Sequence, residues 1–339
     1  MPLVTSRAIL EASLAAFKAG NPFAVGAYNV NNMEQMQGIL RAAKETHSPV
    51  IVQVSRGALK YAEDKYLRNI ILAGVELNPE IPIAMHLDHG NSLETVQRAI
   101  GLGFTSVMID GSLMEDGKTP SDFEYNVRVT REVVEYAHER GVSVEGELGT
   151  LGGIEDGVGS GRTRLTDPDQ AVEFVERTGV DSLAISIGTS HGAYKFKGEP
   201  KISFEVIQRC RQLLPDTFLV SHGSSSVPAE LVAEINKYGG KLEQTMGVPV
   251  DVLQKMIRAG INKINVDTDI RLAATAATRR FLAEHPEKFD QRDYCGAARE
   301  AIAEIIADRM RAFGTAGRIG EVQLLGPEDM KAHYAAARR

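Results

Sequence analysis

The stretch IPIAMHLDHG, residues 81–90, is an apolar run that ends in two histidines, an aspartate and a glycine. Its length and composition predict a buried strand, and its end delivers His86, Asp88 and His89 to one spot. The pattern returns at LAISIGTSHG (183–192) and FLVSHG (218–223). Three strands that each finish at or near a His-Gly pair point to a common destination.

Eight candidate strands occur along the chain: FAVGAYNV, VIVQVS, IPIAMHLDH, SVMIDG, VSVEGELG, SLAISIG, TFLVSHG and KINVDT. Between them lie segments with apolar residues at helical spacing, such as MEQMQGILRAAKETH from Met33 and YNVRVTREVVEYAHERG from Tyr125. TDPDQAVEFVERTG carries a helix start and stop, with Thr166 or Asp167 ahead of Pro168 and Gly179 closing the turn. Eight strand-helix units predict the α/β class and a (β/α)8 TIM barrel. A doubly wound sheet would also alternate, but it would usually show a Gly-rich phosphate turn after the first strand. AYNVNNMEQ stands there instead. Nothing resembling a linker divides the chain, so residues 1–339 are expected to form a single barrel domain. The helical patterns after about residue 273, AIAEIIADRMRAF among them, are expected to pack outside the barrel or on a partner subunit.

Composition narrows the function. At 43% hydrophobic and 24% charged, the chain is ordinary for a globular protein. A net charge of −7 argues against broad nucleic-acid binding. Two distant cysteines, Cys210 and Cys295, give neither a disulfide framework nor a CxxC metal site. No apolar signal core or membrane-length run is present, and a cytoplasmic location without membrane association is expected.

Chemistry in such barrels sits at the C-terminal strand ends. Asn29, Ser55, Asp88, His89, Asp110, Glu145, Glu147, His191, His222, Asn265 and Asp267 all fall there. A lone strand-end histidine is commonly just hydrogen-bonded; three of them suit a metal with an open position. His89, His191 and His222 are each followed by glycine, which lets backbone approach closely. His47, His138, His285 and His333 lie on helical or terminal segments and read as surface residues. His86 shares a strand face with Asp88 and could support the site from behind. Asp88 reads equally as an acid/base or as a helix cap. Glu145 and Glu147 share a face, and the Gly-rich acidic loop after them reads either as a mobile surface loop or as a lid on which Glu155 could move protons. HGAYKF and SHGSSSVP offer turn amides, serines and Lys195 as an anion nest, although SSS before proline is also a routine helix start.

HLDHG, VEGELGTLGGIED, IGTSHGAYKF, HGSSSVP and KINVDTDIRLA, in that order and with FGTAG near the end, resemble the class II, metal-dependent fructose-1,6-bisphosphate aldolases. The likeness spans the chain. It implies a zinc ion, a homodimer or homotetramer, and reversible cleavage of fructose 1,6-bisphosphate to dihydroxyacetone phosphate and glyceraldehyde 3-phosphate. It further implies His89, His191 and His222 as zinc ligands and Glu147 as a carboxylate at an alternative metal position. Asp88 becomes the acid/base for the C4 hydroxyl proton, and Glu155 a proton-transfer residue at dihydroxyacetone phosphate. Gly192, Lys195, Gly223, Ser225 and Asn265 become the phosphate cradle, with a monovalent cation (Na+ or K+) nearby. Asn29, Ser55 and Asp267 become further substrate contacts, and Arg271 reaches the distal phosphate in a neighbouring subunit. Three rivals remain at this stage: the same chemistry on tagatose 1,6-bisphosphate or sedoheptulose 1,7-bisphosphate, a Schiff-base aldolase using Lys263, and a metal-binding barrel without turnover.

Overall fold

A computed structural model describes residues 3–150, 153, 163–190, 192, 200–243 and 246–337. A two-residue strand, β1 (Leu3–Val4), precedes eight longer ones: β2 (Val25–Asn29), β3 (Val50–Ser55), β4 (Ile83–Gly90), β5 (Ser106–Ile109), β6 (Ser143–Leu148), β7 (Ser182–Ile185), β8 (Phe218–Ser221) and β9 (Ile261–Val266). Each of β2 to β9 pairs in parallel with the next, and β9 pairs back onto β2. The closed eight-stranded barrel is the fold expected from the sequence, and all eight predicted strands lie within it. The short β1, which the sequence reading missed, adds to the start of β4.

Alternation along the strands sorts residues between two cores. Outward-facing Met85, Leu87, Val52 and Val54 join Ile39, Leu40, Ile71 and Phe174 of the surrounding helices. Inward-facing Val25, Ala27, Ile51, Ala84 and Phe218 fill the N-terminal mouth against Ile9 and Leu10. These two come from the helix Ser6–Lys18, which Thr5 caps and which lies across that mouth. Above this aliphatic floor the interior turns polar.

The predicted helices form where periodicity placed them. Asp167, rather than Thr166, caps the helix Pro168–Thr178 by accepting from the amides of Asp169 and Gln170, and Gly179 ends it in the left-handed region. The helices Thr268–Glu284 and Gln291–Ala312 pack outside the barrel. The second lies on Met33–Thr46 so closely that a Cβ on Gly38 would stand 2.6 Å from Ile302 Cγ2.

At the N-terminal pole, Asp181 gathers four donors: Arg7 Nη1 at 2.8 Å, His138 Nε2 at 2.9 Å, Tyr334 Oη at 2.9 Å and the Val144 amide at 2.7 Å. His138 is stacked on Tyr334 with ring centroids 3.7 Å apart. It is therefore part of a buried junction, which corrects the expectation of a surface residue. Helical periodicity could not reveal this, because the partners come from the first helix, the start of β7 and the helix Pro327–Ala337.

Candidate active site

Strand β4 solves a geometric problem that its sequence poses. Asp88 and His89 are adjacent, so a regular strand would send them to opposite faces. The pairing of β4 with β5 shifts between Leu87 and Gly90, and His89 takes φ +50° in the left-handed region. Both side chains consequently reach the same pole. His89 Nε2 stands 3.9 Å from Asp88 Oδ1, and the imidazole of His89 meets that of His222 edge-on with centroids 4.9 Å apart. The Arg56 guanidinium steadies the unusual backbone by donating from Nε to the His89 carbonyl at 3.0 Å.

Asp88 caps no helix. Ser92 performs that role for Leu93–Gly101. Instead the Asp88 carboxylate accepts from Asn29 Nδ2 at 3.2 Å, Gln53 Nε2 at 3.3 Å and Asn265 Nδ2 at 3.3 Å. Burial alone would favour its neutral form. The charges of His89 and His222 outweigh burial and hold it below the usual aspartate range, so it is ionised.

His89 Nδ1 pairs with Asp110 Oδ2 at 3.2 Å, which leaves Nε2 toward the centre of the site. Against the opposing effect of burial, Asp88 and Asp110 push its pKa up to about 10. His222 faces Glu145 Oε1 through Nε2 at 2.8 Å and Glu147 Oε2 through Nδ1 at 3.3 Å. These carboxylates raise its pKa too, again against burial. One ligand atom from each of His89, Glu147 and His222 lies within 4.8 Å of the others, all three residues buried. Among the described residues, four buried carboxylates, Asp88, Asp110, Glu145 and Glu147, have Lys263 and Arg56 as their permanent cations. That imbalance and the imidazole-carboxylate donor set fit a divalent metal ion.

Beneath the cluster, Lys263 Nζ sits 2.8 Å and 3.1 Å from the two oxygens of Glu145, both residues buried. It is the counter-ion of Glu145, not a free amine able to attack a carbonyl. Burial first, and then the charge of Lys263, brings the His86 pKa down to about 3, and the neutral ring bonds Ser106 Oγ through Nδ1 at 2.8 Å. His86 thus supports the site from below.

The remaining predicted residues divide into those placed and those outside the description. Asn29, Asn265 and Asp88 converge as stated. Ser55 is buried at the end of β3 and caps the helix Arg56–Ala62. None of the serines after His222 caps the helix Ala229–Lys237. Ser225 Oγ instead accepts from the amides of Asp267 and Thr268, both at 3.2 Å. Gly223 has φ +61°, and a Cβ there would stand 2.6 Å from the Ser190 carbonyl, so only glycine lets these turns approach. Asp267 pairs with Arg271, whose Nη2 lies 2.6 Å away, and the Arg271 side chain is 41% exposed. Gly192 is described, with φ +81°. His191, Lys195 and Glu155 lie outside the described residues.

Gln53 was missed by the sequence reading. It shares the inward face of β3 with Ser55, a signal available from alternation, and it bonds both Asn29 and Asp88.

A closed parallel barrel with imidazoles, carboxylates and an oriented aspartate at its C-terminal pole defines a metal-assisted barrel enzyme. Residues 10–318 match the family model described as fructose-bisphosphate aldolase class-II. The chain belongs to that family, and is accordingly a lyase. It is 51% identical to the fructose-bisphosphate aldolase of Pseudomonas aeruginosa over 350 aligned positions, covering 99% of this chain and 98% of the relative. The fructose-bisphosphate aldolase class 2 of a Synechocystis species is 49% identical, with 99% and 96% covered. Among solved structures, the YdjI aldolase of Escherichia coli K12 superposes with a TM-score of 0.72 at 29% identity, covering 93% of this chain and 99% of that one. Class membership sets aside the Schiff-base rival, in keeping with the ion pair of Lys263. Among the described residues no helix is long and apolar enough to cross a membrane.

Proposed function

We propose that this chain reversibly cleaves fructose 1,6-bisphosphate into dihydroxyacetone phosphate and glyceraldehyde 3-phosphate, with zinc held by His89, His191 and His222. The observation that carries the reading is the meeting of the His89, Glu147 and His222 ligand atoms beside an ionised Asp88 fixed by three amide donors. Bound there, zinc supplies Lewis acidity to the ketose carbonyl. Asp88 takes the C4 hydroxyl proton as the C3–C4 bond breaks, and its electron pair passes toward the carbonyl-bearing fragment. In the reverse direction Asp88 returns that proton. The amides of Asn29, Gln53 and Asn265 keep the carboxylate aimed. Glu155 exchanges a proton at dihydroxyacetone phosphate, and Glu147 offers a second position to the metal.

Gly192, Lys195, Gly223, Ser225 and Asn265 receive the dihydroxyacetone-side phosphate, with a monovalent cation nearby. Asn29, Ser55 and Asp267 contact the rest of the sugar, and anchoring both ends sets the breaking bond beside the metal. Arg271, partly exposed, reaches the distal phosphate of a neighbouring subunit in a homodimer or homotetramer. The same reading takes residues 1–339 as one barrel domain and places the enzyme in the cytoplasm.

The test is cleavage of fructose 1,6-bisphosphate before chelation, after it, and after zinc is restored. Loss and recovery support the reading. Activity unchanged with metal absent by elemental analysis would overturn it. Turnover compared with tagatose and sedoheptulose bisphosphates checks the sugar, which the family and its relatives favour as fructose 1,6-bisphosphate.

A further inference from the structure

Val227 is β-branched yet sits at φ +49°, a region such residues rarely occupy. It ends the turn that starts at Gly223, and something must hold it there, because such a conformation is strained. Asp269, fully buried in the first turn of the helix Thr268–Glu284, is the clamp. Its carboxylate accepts from the Val227 amide at 2.8 Å, the Ser226 amide at 3.1 Å and Ser226 Oγ at 2.9 Å. Arg309 closes the arrangement from the other side. Its Nε donates to Asp269 Oδ2 at 3.1 Å and its Nη2 to Ser226 Oγ at 2.6 Å. Only 9% of the Arg309 side chain is exposed. Arg309 belongs to the outer helix Gln291–Ala312, so a C-terminal element reaches through to a strand-end turn.

This network is costly unless it is needed. A buried arginine and aspartate lose their hydration, and apolar residues could fill the same space. What the pair does is fix two amides and one hydroxyl of a strained turn directly beside Gly223 and Ser225. We propose that Asp269 and Arg309 are positioning residues for substrate phosphate: without touching substrate, they hold the Gly223–Val227 turn in its anion-binding shape. This rests on the reading of that turn as part of the phosphate cradle.

The experiment uses the zinc-loaded full chain and reads KM for fructose 1,6-bisphosphate, kcat, and the inhibition constant of inorganic phosphate. Asp269→Asn should raise KM and the phosphate constant about tenfold, the scale of lost hydrogen bonds to a charged group, with kcat changed far less. Arg309→Lys keeps the charge but loses the two-pronged donor, and should shift the same two constants in the same direction by a smaller factor. It also serves if the Asn variant fails to fold by circular dichroism. Folded variants with lowered Tm and unchanged KM and phosphate inhibition would show a merely structural pair and overturn the proposal. Ser225→Ala separates the two readings. If it weakens phosphate binding while Asp269→Asn and Arg309→Lys do not, only the positioning role fails. If Ser225→Ala leaves phosphate binding unchanged, the cradle reading fails and takes the proposal with it.

Discussion

Asn265 and Asp88, on strands separated by two others around the barrel wall, meet across its interior, with Asn265 Nδ2 donating to Asp88 Oδ1 at 3.3 Å. Asn29 and Gln53 approach the other oxygen of the same carboxylate. Three neutral donors aim the carboxylate, while the charges of His89 and His222 keep it ionised against burial.

Asp88→Ala should lower kcat by about 10²- to 10⁴-fold, the usual contribution of a positioned acid/base. Zinc content by elemental analysis should stay at the level of the parent protein, because the ligand candidates are other residues. A variant that retains most of its turnover would remove Asp88 from the chemistry.

Gln53→Leu keeps the bulk but deletes the donor to Asn29 and Asp88. We expect kcat to fall on the order of tenfold, the scale of a hydrogen bond to a charged group, with KM nearly constant. A change confined to KM in steady-state kinetics would instead make Gln53 a substrate contact.

Lys263→Met leaves Glu145 buried without its counter-ion. Denaturant unfolding should record a loss of about 3–5 kcal/mol, the range for breaking one side of a buried pair. Adding Glu145→Gln should recover part of it. Borohydride treatment of the parent protein with substrate should leave the intact mass unchanged, since Lys263 Nζ is buried and engaged by Glu145; a trapped adduct would contradict this.

Asp181 predicts a pH effect at the pole away from the site. Burial favours its neutral form, but the hydrogen bond from His138 and the charges of His138 and Arg7 hold its pKa below the ordinary 3.8. A carboxylate with a depressed folded pKa contributes stability that is fully present above the unfolded value and fades as pH falls through the folded one. Asp181→Asn should therefore cost about 2 kcal/mol near neutrality. The gap between variant and parent should narrow steadily below pH 3.8. Activity at neutral pH should be unchanged, and a pH-independent gap would mean that packing, not charge, holds the junction.

The barrel was legible because its strands are short apolar runs with clear stops, and the site because strand ends in this architecture converge. Asp88 and His89 could be named as neighbours, but their shared direction depends on a register shift and a left-handed φ that no alternation rule contains. Gln53 was readable from the face it shares with Ser55. His138, Asp269 and Arg309 were not, since each acquires its role from partners 40 or more residues away in sequence. Helix periodicity marks such residues as polar and stops there.

The Glu145–Lys263 pair has a consequence for how the barrel closes. Strands β6 and β9 are not neighbours, so their side chains meet only once every intervening strand is in place. Slipping either strand by one residue would turn its charge outward, among the aliphatic contacts of the helices, and strand the other inside. Each misplaced ion would cost several kcal/mol. An all-aliphatic layer at this height would accept several alignments almost equally well. The ion pair admits one, and so ties β6 and β9 to a single mutual alignment across the barrel.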